Sequence, residues 1–302
     1  MSSSVIATLA NKKYISQAKQ LFSSVYHTSG WKGDYLLITD GIPLREVQWF
    51  QNRGILVKTY SNKDKREIGI MPSIVGLKLR LFTRYFKKWD TVLYIDADAI
   101  VTHNLDFFEK VKGFWAAPDL DDHTLGYQFR KNDSFKKMKD KHERLRQELL
   151  NDLDFTEPSF NSGVLAFETS VIKKNTFQKL KKFQKKYNDI SYYGDQSILN
   201  FYFYKQWQKL PLRFNTSPEY IHIKYFLPYF LIWGTILHFC PFGNSAKPWQ
   251  NKSYFQTMWK HYLLTSDEVN LTQRKRSKTT NIVKKMSFNF FYSILSFGKR
   301  IF

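Results

Sequence analysis

The sequence predicts an α/β fold in which β-strands alternate with helices. Its first 125 residues alternate short apolar runs, such as "SVIATLA", "DYLLITD" and "TVLYIDADA", with longer segments of mixed polarity. β-rich runs separated by helical periods are typical of βαβ units and of a mostly parallel sheet. The 43% hydrophobic content gives this 302-residue chain enough apolar surface for a globular core. Sheets of this kind bind ligands at the carboxyl ends of their strands.

The elements follow one another with regular punctuation. The run "SVIATLA" precedes the helical segment "SQAKQLFSSVYHTS", and the next run, "DYLLITD", ends at Asp40-Gly41. The segment "PLREVQWFQNRG" ends at Gly54, before "ILVKTYS", and "GLKLRLFTRYFKKW" precedes "TVLYIDADA". Glycine and Asp-Gly pairs commonly mark turns. The N-terminal "MSSSVIATLANKKY" lacks the pattern of a signal peptide, so we expect the start to belong to the fold.

Two strongly charged segments are expected to form surface helices. Residues 128–150, "QFRKNDSFKKMKDKHERLRQELL", are helix-prone and read as an insertion rather than core. In "KKNTFQKLKKFQKKY", Phe177, Leu180 and Phe183 are three residues apart and lysines occupy the remaining face. This pattern indicates an amphipathic helix with a solvated basic side.

The charge of the chain limits its partners and its compartment. A formal charge of +21 favours a polyanionic neighbour, either nucleic acid, an anionic membrane or a phosphorylated substrate. The lysines are spread without an RNA-binding signature, so nucleic acid is the less expected partner. The single cysteine, Cys240, excludes an intrachain disulfide and fits a reducing compartment, for which the cytoplasm is the default.

The composition divides the chain into a globular domain, residues 1–265, and a basic, aromatic, amphipathic tail, residues 266–302. From Leu271 onward the tail holds eight basic residues and no acidic ones. Its apolar stretch "MSFNFFYSILSF" is shorter than the roughly 20 residues that a spanning helix needs. Basic residues beside an aromatic face suit an anionic leaflet. We expect peripheral attachment to the inner face of a membrane; the alternative is a tail that packs on its own domain or on a partner.

Asp96 and Asp98 end the apolar run "TVLYIDADAI". On an extended strand, side chains two residues apart point to the same side. Two buried carboxylates would repel each other unless a cation lay between them. A hard divalent ion, Mn²⁺ or Mg²⁺, accepts oxygen ligands and can bridge to a diphosphate. The alternative is a turn with solvated aspartates.

Two further clusters offer polar groups beside apolar segments. In "SFNSGVLAFE", Asn161 and Ser162 could hydrogen-bond a sugar, and Gly163 permits close backbone approach, although Asn-Ser-Gly is also ordinary turn chemistry. In "YYGDQSILNFYF", Asp195 and Gln196 open a helix-like pattern. A helix N-cap is the structural alternative for Asp195.

A fourth cluster, "LHFCPFGNSAKPWQ", places an imidazole, a glycine and a lysine around a turn. His238 could be a third metal ligand, Lys247 a phosphate partner and Gly243 a backbone contact. The alternative for His238 is a purely structural histidine.

Together the four clusters resemble the glycogenin-like family 8 of glycosyltransferases, which includes bacterial lipopolysaccharide galactosyl- and glucosyltransferases. The resemblance runs from about residue 5 to residue 260. It rests on "ATLANKKY", "YIDADAI", "FWAAPD", "FNSGVLAF", "DQSILN" and "KPW", in the order in which the family has them. It implies a GT-A fold, Rossmann-like with a mixed central sheet, over residues 1–265. It also implies Mn²⁺ (or Mg²⁺) and retaining transfer of glucose or galactose from a UDP-sugar to a glycan or glycolipid.

The resemblance also implies roles for individual residues. The metal ligands would be Asp96, Asp98 and His238, and the UDP contacts Asn11, Tyr14, Gly243 and Lys247, with Tyr14 stacking on the base. The donor sugar would meet Lys78 or Arg80, Asp119, Asn161 and Ser162, and the catalytic pair would be Asp195 and Gln196, whose division of labour stays open.

The sequence departs from the family pattern at three places. The loop from His238 to Lys247 is longer than in the family, the turn before Tyr14 is one residue shorter, and spacing does not choose between Lys78 and Arg80.

Two other readings compete with the transferase. A phosphohydrolase of the haloacid-dehalogenase type also places Asp-x-Asp after an apolar strand, but nearer its N-terminus and with different following residues. A basic, aromatic-rich chain could also be a membrane- or nucleic-acid-binding protein built on an inactive GT-A fold. Binding alone leaves the aspartate pair unexplained, and stabilisation by UDP with Mn²⁺ would separate the two classes.

Overall fold

A mixed seven-stranded sheet forms the centre of the protein. The computed structural model describes residues 3–60, 75–120, 123–129, 139–240 and 246–274. The sheet has the order β3-β2-β1-β4-β7-β6-β8. Its strands are β1 (Ser4–Leu9), β2 (Asp34–Thr39), β3 (Leu56–Thr59), β4 (Thr91–Ile95), β6 (Phe114–Pro118), β7 (Phe160–Glu168) and β8 (Trp207–Lys209). The α/β sheet that the sequence pattern predicts is confirmed, and it is mixed, as the family resemblance implies.

The first four strands of the sheet, β3, β2, β1 and β4, are parallel, as the βαβ pattern predicts. The sheet becomes mixed at β7, which runs antiparallel to both β4 and β6. Every residue of β4 is buried. The pairing of Ile95 with Val164 sets the carboxyl end of β4 beside the amino-terminal half of β7. The "DAD" and "FNSG" segments, more than 60 residues apart in the sequence, therefore meet at one edge.

A second sheet, two-stranded and antiparallel, begins directly after the turn that follows β4. It consists of β5 (Ala99–Val101) and β9 (Ile236–His238), and Ala99 is the partner of His238. A small apolar cluster that includes Ile100, Leu237 and Phe255 holds this ladder in place. The ladder brings His238 next to the residue after Asp98.

Helices cover the sheet. They are α1 (Ile15–Thr28), α2 (Leu44–Asn52), α3 (Leu125–Gln128), α4 (Lys139–Leu150), α5 (Thr176–Tyr187), α6 (Asp195–Tyr202), α7 (Pro218–Tyr225) and α8 (Gln256–Leu264). The segment "GLKLRLFTRYFKKW" forms two 3₁₀ helices, Val75–Phe82 and Arg84–Lys88, instead of one α-helix. Thr83 separates them, and its hydroxyl donates to the carbonyl of Arg80 at 2.8 Å. Such side-chain bonds to the backbone compete with regular helix.

Both charged segments contain helices. Helix α4 covers the second half of the segment 128–150, and residues 130–138 lie outside the described part. Most of α4 is polar, but Leu149 is fully buried in the main core, so α4 also packs against the domain. In α5, Leu180 is buried and Phe177 and Phe183 pack against the same core, which matches the amphipathic pattern.

The chain divides into two units, residues 1–269 and 270–302. In the second unit the description covers one short helix, α9 (Leu271–Arg274). Of the predicted tail, residues 266–302, the structure describes residues 266–274, and residues 275–302 lie outside the described part. Among the residues that are described, the helices are too short or too polar to cross a bilayer.

Candidate functional site

Three potential metal ligands converge where β4, β5 and β9 meet. Asp96 follows β4, Asp98 precedes β5, and His238 ends β9. The Nε2 atom of His238 lies 3.4 Å from Asp98 Oδ1 and 3.9 Å from Asp96 Oδ2. One ligand atom from each residue lies within 4.8 Å of the other two. A turn after Ile95, rather than continued extended strand, carries the two aspartates, and the β5–β9 ladder supplies the histidine.

This triad (Asp96, Asp98 and His238) has the chemistry and space of a divalent metal site. Carboxylate oxygens and an imidazole nitrogen suit Mn²⁺ and, with more oxygen ligands, Mg²⁺. Gly163 leaves room for the ring, because a Cβ at that position would lie 2.8 Å from His238 Nε2 and nearer still to other ring atoms. Glycine is thus required in "FNSG" because any side chain at position 163 would collide with the imidazole of His238.

Asn215 fixes the orientation of the imidazole. Its Nδ2 donates to Asn161 Oδ1 at 3.0 Å, so its own Oδ1 is the acceptor that faces His238 Nδ1 at 2.9 Å. His238 therefore carries its proton on Nδ1 and presents Nε2 to the two carboxylates. Hydrogen bonds of this kind commonly set the tautomer of metal-binding histidines. No feature of "RFNTSPEY" marks Asn215 in the sequence.

The two carboxylates of the triad favour a positive charge beside them. Burial alone would lower the pKa of His238, but the carboxylates of Asp98 and Asp96 outweigh it and raise that pKa. Burial would raise the pKa of Asp98, but His238 overrides it and lowers that pKa. Protonated His238 thus supplies positive charge in the absence of metal. A metal ion bound at Nε2 would displace that proton.

Lys78 connects the triad to a second group of polar residues. Its buried Nζ lies 3.2 Å from Asp96, donates at 3.1 Å to the carbonyl and hydroxyl of Ser162, and is 3.9 Å from Asp195 Oδ1. Burial would lower the pKa of Lys78, but Asp195 and Asp96 raise it, so the side chain stays charged.

Arg80 points elsewhere. Its guanidinium lies 5.0 Å from the ring centre of Tyr60 and 4.5 Å from that of Phe177. Of the two basic residues between which the sequence did not choose, the structure places Lys78 in the site. The expectation that Arg80 contacts the donor sugar has no support from its described contacts.

Asp119, Asn161, Ser162 and Gln196 form a hydrogen-bonded cluster beside Lys78. Gln196 Nε2 donates to Asp119 Oδ2 at 2.9 Å, and its Oε1 accepts from the Ser162 amide at 3.0 Å. Asn161 Nδ2 lies 3.4 Å from Asp119 Oδ1. Gln128, which sequence analysis assigned to the inserted segment, also donates to Asp119 Oδ2, at 2.8 Å, and is fully buried. These contacts fix the amide of Gln196 in one orientation.

Asp195 is the first residue of α6, not its N-cap. The N-cap is Gly194, with φ +60°, a value that glycine adopts readily. The carboxyl group of Asp195 is buried, and its Oδ2 has no hydrogen-bond partner among the described residues. Burial raises its pKa from 3.8 to about 7, although Lys78 acts in the opposite direction. Asp195 thus has an oxygen available for a ligand, which Gln196 does not.

Asp195→Asn should make the protein more stable at neutral pH. Because the pKa of Asp195 is raised on folding, the folded state holds a proton that the unfolded state has lost, and stability falls as pH rises from about 4 to about 7. We expect the gain in Tm over the unaltered protein, in chelator, to grow by on the order of 5 °C between pH 5 and pH 8. Melting curves across that range measure it. A gain that is the same at every pH would contradict the raised pKa.

The residues expected to bind UDP are placed in part. Asn11 Oδ1 accepts from the Lys13 amide at 2.9 Å and so shapes the turn after β1. Tyr14 is partly exposed; burial raises the pKa of its hydroxyl, as do the carboxylates of Asp98 and Asp96, so the ring lies near the triad. Lys247 Nζ donates to the Cys240 carbonyl at 2.8 Å. Gly243 lies outside the described residues.

The sequence pattern described as "Glycosyl transferase family 8" matches residues 5–253. The chain belongs to this family. Since the matched range agrees with the span of the resemblance inferred from the four clusters, that resemblance is confirmed, and the phosphohydrolase alternative is wrong. Within the matched range lie Asp96, Asp98 and His238, the three residues that could hold a metal ion.

The chain is also similar in sequence to curated streptococcal glycosyltransferases. The chain is 31% identical over 199 residues to glycosyltransferase GlyA of Streptococcus pneumoniae, covering 63% of this chain and 24% of GlyA. It spans about a quarter of the length of the curated relatives it matches.

Two solved structures show the architecture over most of the chain. The structure of the galactosyltransferase LgtC with donor and acceptor sugar analogues has a TM-score of 0.65 at 18% identity, covering 86% of this chain and 95% of LgtC. The apo form of GlyE of Streptococcus pneumoniae has a TM-score of 0.60 at 21% identity, covering 91% of this chain and 63% of GlyE. The GT-A fold is thereby confirmed.

One buried acid near the triad escaped the sequence analysis. Glu219, the second residue of α7, is buried, and its Oε2 has no hydrogen-bond partner among the described residues. Burial raises its pKa, while Lys247 and His238 act in the opposite direction. Glu219 therefore lies close enough to both of these cations to be influenced by them. Pro218-Glu219 at a helix start reads as ordinary capping, so the sequence offers no signal for it.

Proposed function

We propose that this family 8 glycosyltransferase transfers a hexose, glucose or galactose, from a UDP-sugar to a glycan or glycolipid acceptor. Transfer would retain the anomeric configuration and depend on Mn²⁺ or Mg²⁺. The observation that carries the proposal is the convergence of Asp96, Asp98 and His238 within 4.8 Å, next to a buried lysine and a fixed polar cluster. Neither a retained inactive fold nor simple binding calls for that combination.

The triad would hold the metal ion at the point where the diphosphate leaves. A bound Mn²⁺ or Mg²⁺ would stabilise the negative charge that develops on the departing UDP. Lys78 keeps Asp96 oriented and adds a fixed positive charge beside it. Lys247 would meet the diphosphate, and the partly exposed ring of Tyr14 would stack on uracil.

The polar cluster would orient the donor sugar. Asp119 and Asn161 offer an acceptor and a donor on one side, and the Ser162 hydroxyl lies beside them. Because the amide of Gln196 is held by Asp119 and Ser162, its role would be to position groups. Asp195, with Oδ2 unpartnered among the described residues, would face the positive charge that develops on the sugar ring. The carboxyl group must be ionised for this, and a substrate charge would favour that form.

We also propose that the protein works in the cytoplasm, on the inner face of a membrane, where a glycolipid acceptor would lie. The support is compositional, from the basic and aromatic tail. Binding of the protein to lipid vesicles, rather than its activity, tests this proposal.

Release of UDP from a panel of UDP-sugars, with Mn²⁺ and with chelator, tests the transfer proposal. We expect metal-dependent turnover of one hexose donor, because slow transfer to water needs no acceptor. Thermal shifts with UDP and Mn²⁺ provide the accompanying binding measurement. If the protein showed neither turnover nor UDP binding, the transferase proposal would be wrong, and a binding protein on an inactive GT-A fold would take its place.

A further inference from the structure

A group of large apolar side chains stands exposed in and directly after α7. Phe226 is 89% exposed, Trp233 71% and Phe230 66%. With their neighbours they form what we call the aromatic surface, whose members are Ile223, Tyr225, Phe226, Phe230, Leu231 and Trp233. Isolated exposed apolar side chains are normal, but six within eleven residues is a concentration that calls for an explanation.

The backbone beneath this surface is held in place. Tyr229 stacks on His222 with ring centres 4.0 Å apart, and packs against Tyr254 and Phe255. Ile232 is buried, and His222 Nδ1 hydrogen-bonds the Leu227 carbonyl at 2.8 Å. The segment therefore has an inner and an outer set of side chains. The exposed rings project from an ordered base rather than from a loose strand.

The part of the sequence that contains the aromatic surface is basic. From Gln196 to Ser266 the sequence contains one acidic residue, Glu219, and that residue is buried. The same stretch contains seven basic residues, Lys205, Lys209, Arg213, Lys224, Lys247, Lys252 and Lys260. Arg213 and Trp233 line one surface cavity, and Lys224 Nζ lies 5.6 Å from the ring centre of Tyr225. Arg213 and Lys224 thus place positive charge beside members of the aromatic surface.

We propose that the aromatic surface inserts into the interfacial layer of an anionic lipid bilayer. Exposed Trp, Tyr and Phe beside Arg and Lys are what such an interface accommodates. A second copy of the chain is disfavoured as the occupant because two surfaces of the same positive charge would meet. This inference goes beyond the proposed transfer reaction and does not depend on it. It also differs from attachment through residues 266–302.

The placement would bring the triad close to the membrane. Trp233 and His238 are five residues apart, so their backbones are separated by at most about 18 Å. An acceptor anchored in the bilayer could then reach the triad without leaving it.

Co-sedimentation of the full chain with vesicles tests the surface. We compare the unaltered chain with a variant carrying Phe226→Ser, Phe230→Ser and Trp233→Ser, on phosphatidylglycerol-rich and on pure phosphatidylcholine vesicles. Binding to the anionic vesicles should weaken about tenfold or more, since three apolar side chains lose their burial. The matched control carries Leu44→Ser and Leu264→Ser, which also remove exposed apolar side chains. An equal loss in both variants, or none in the first, would overturn the proposal.

A site-specific label separates this surface from the tail. A polarity-sensitive thiol dye is placed at Phe226→Cys or, as the control, at Leu44→Cys, and the signal of dye on Cys240 is subtracted with the unaltered chain. We expect anionic vesicles to blue-shift the dye at 226, brominated lipids to quench it, and neither effect at 44. A bound protein with an unaffected dye at 226 would show that another part of the chain attaches. A dye at 226 that is blue-shifted before lipid is added would show that protein covers the surface. Either result refutes the proposal.

Discussion

Asp98→Asn should abolish Mn²⁺-dependent UDP release. The variant keeps the shape of the side chain but removes the negative charge that faces His238 at 3.4 Å, and with it one of the three proposed carboxylate and imidazole ligands. A metal ion contributes several kcal/mol of charge stabilisation, and about 1.4 kcal/mol is a factor of ten in rate. We therefore expect turnover to fall by roughly a thousandfold. Steady-state UDP release across Mn²⁺ concentrations measures it.

The matched control is Asp106→Asn, at an exposed position of the 3₁₀ helix Asp106–Lys110, which should leave turnover unchanged. A melting curve in chelator would establish that both variants are folded. If Asp98→Asn retained metal-dependent turnover near that of the control, Asp98 would not be a ligand. The contact between Asp98 and His238 would then be an ion pair with a structural role.

The second large effect is expected from Gly163→Ala. One methyl group would occupy the space of the His238 imidazole, which Asn215 and the β5–β9 ladder hold in place. Overpacking of this kind typically costs about 1–3 kcal/mol, and the ring must turn away from the carboxylates to relieve it. We expect Mn²⁺ affinity to fall by about 10- to 100-fold. Titration of Mn²⁺ in the presence of UDP measures the change.

Gly126→Ala serves as the matched control, because the new Cβ would meet its nearest atom, the Phe155 carbonyl oxygen, at 3.3 Å, and none of its three nearest atoms belongs to an imidazole. That variant should bind Mn²⁺ normally. Equal Mn²⁺ affinity in the two variants would mean that His238 is not required at the position the structure gives it.

Much of the candidate site could be predicted from the sequence, because the sequence shows where an apolar strand ends. The apolar run up to Ile95 identified β4, and a carboxylate pair after a buried strand calls for an external partner. The "FNSG" and "DQS" segments were recognisable by composition and order. Their meeting with the aspartates follows from the antiparallel pairing of β4 with β7, which a pattern of βαβ units does not reveal.

The residues that were missed act through contacts distant in sequence. Asn215 meets His238 from 23 residues away and Asn161 from 54, and nothing local to it signals either contact. Gln128 was assigned to a charged insertion although its side chain is fully buried against Asp119. The structure was also needed to choose between Lys78 and Arg80. The two side chains point in different directions from one 3₁₀ helix, and their spacing in the sequence does not tell which of them points toward the site.

The amide of Asn215 has a further consequence for how the protein responds to its ligands. It hydrogen-bonds His238, a proposed metal ligand, with one end and Asn161, a proposed sugar contact, with the other. Anything that orders Asn161 also orders His238, so the two binding events share one free energy of coupling. Such coupling is reciprocal: a sugar nucleotide would raise the affinity for the ion by the factor by which the ion raises the affinity for the sugar nucleotide. The protein would thus load both together rather than hold either alone.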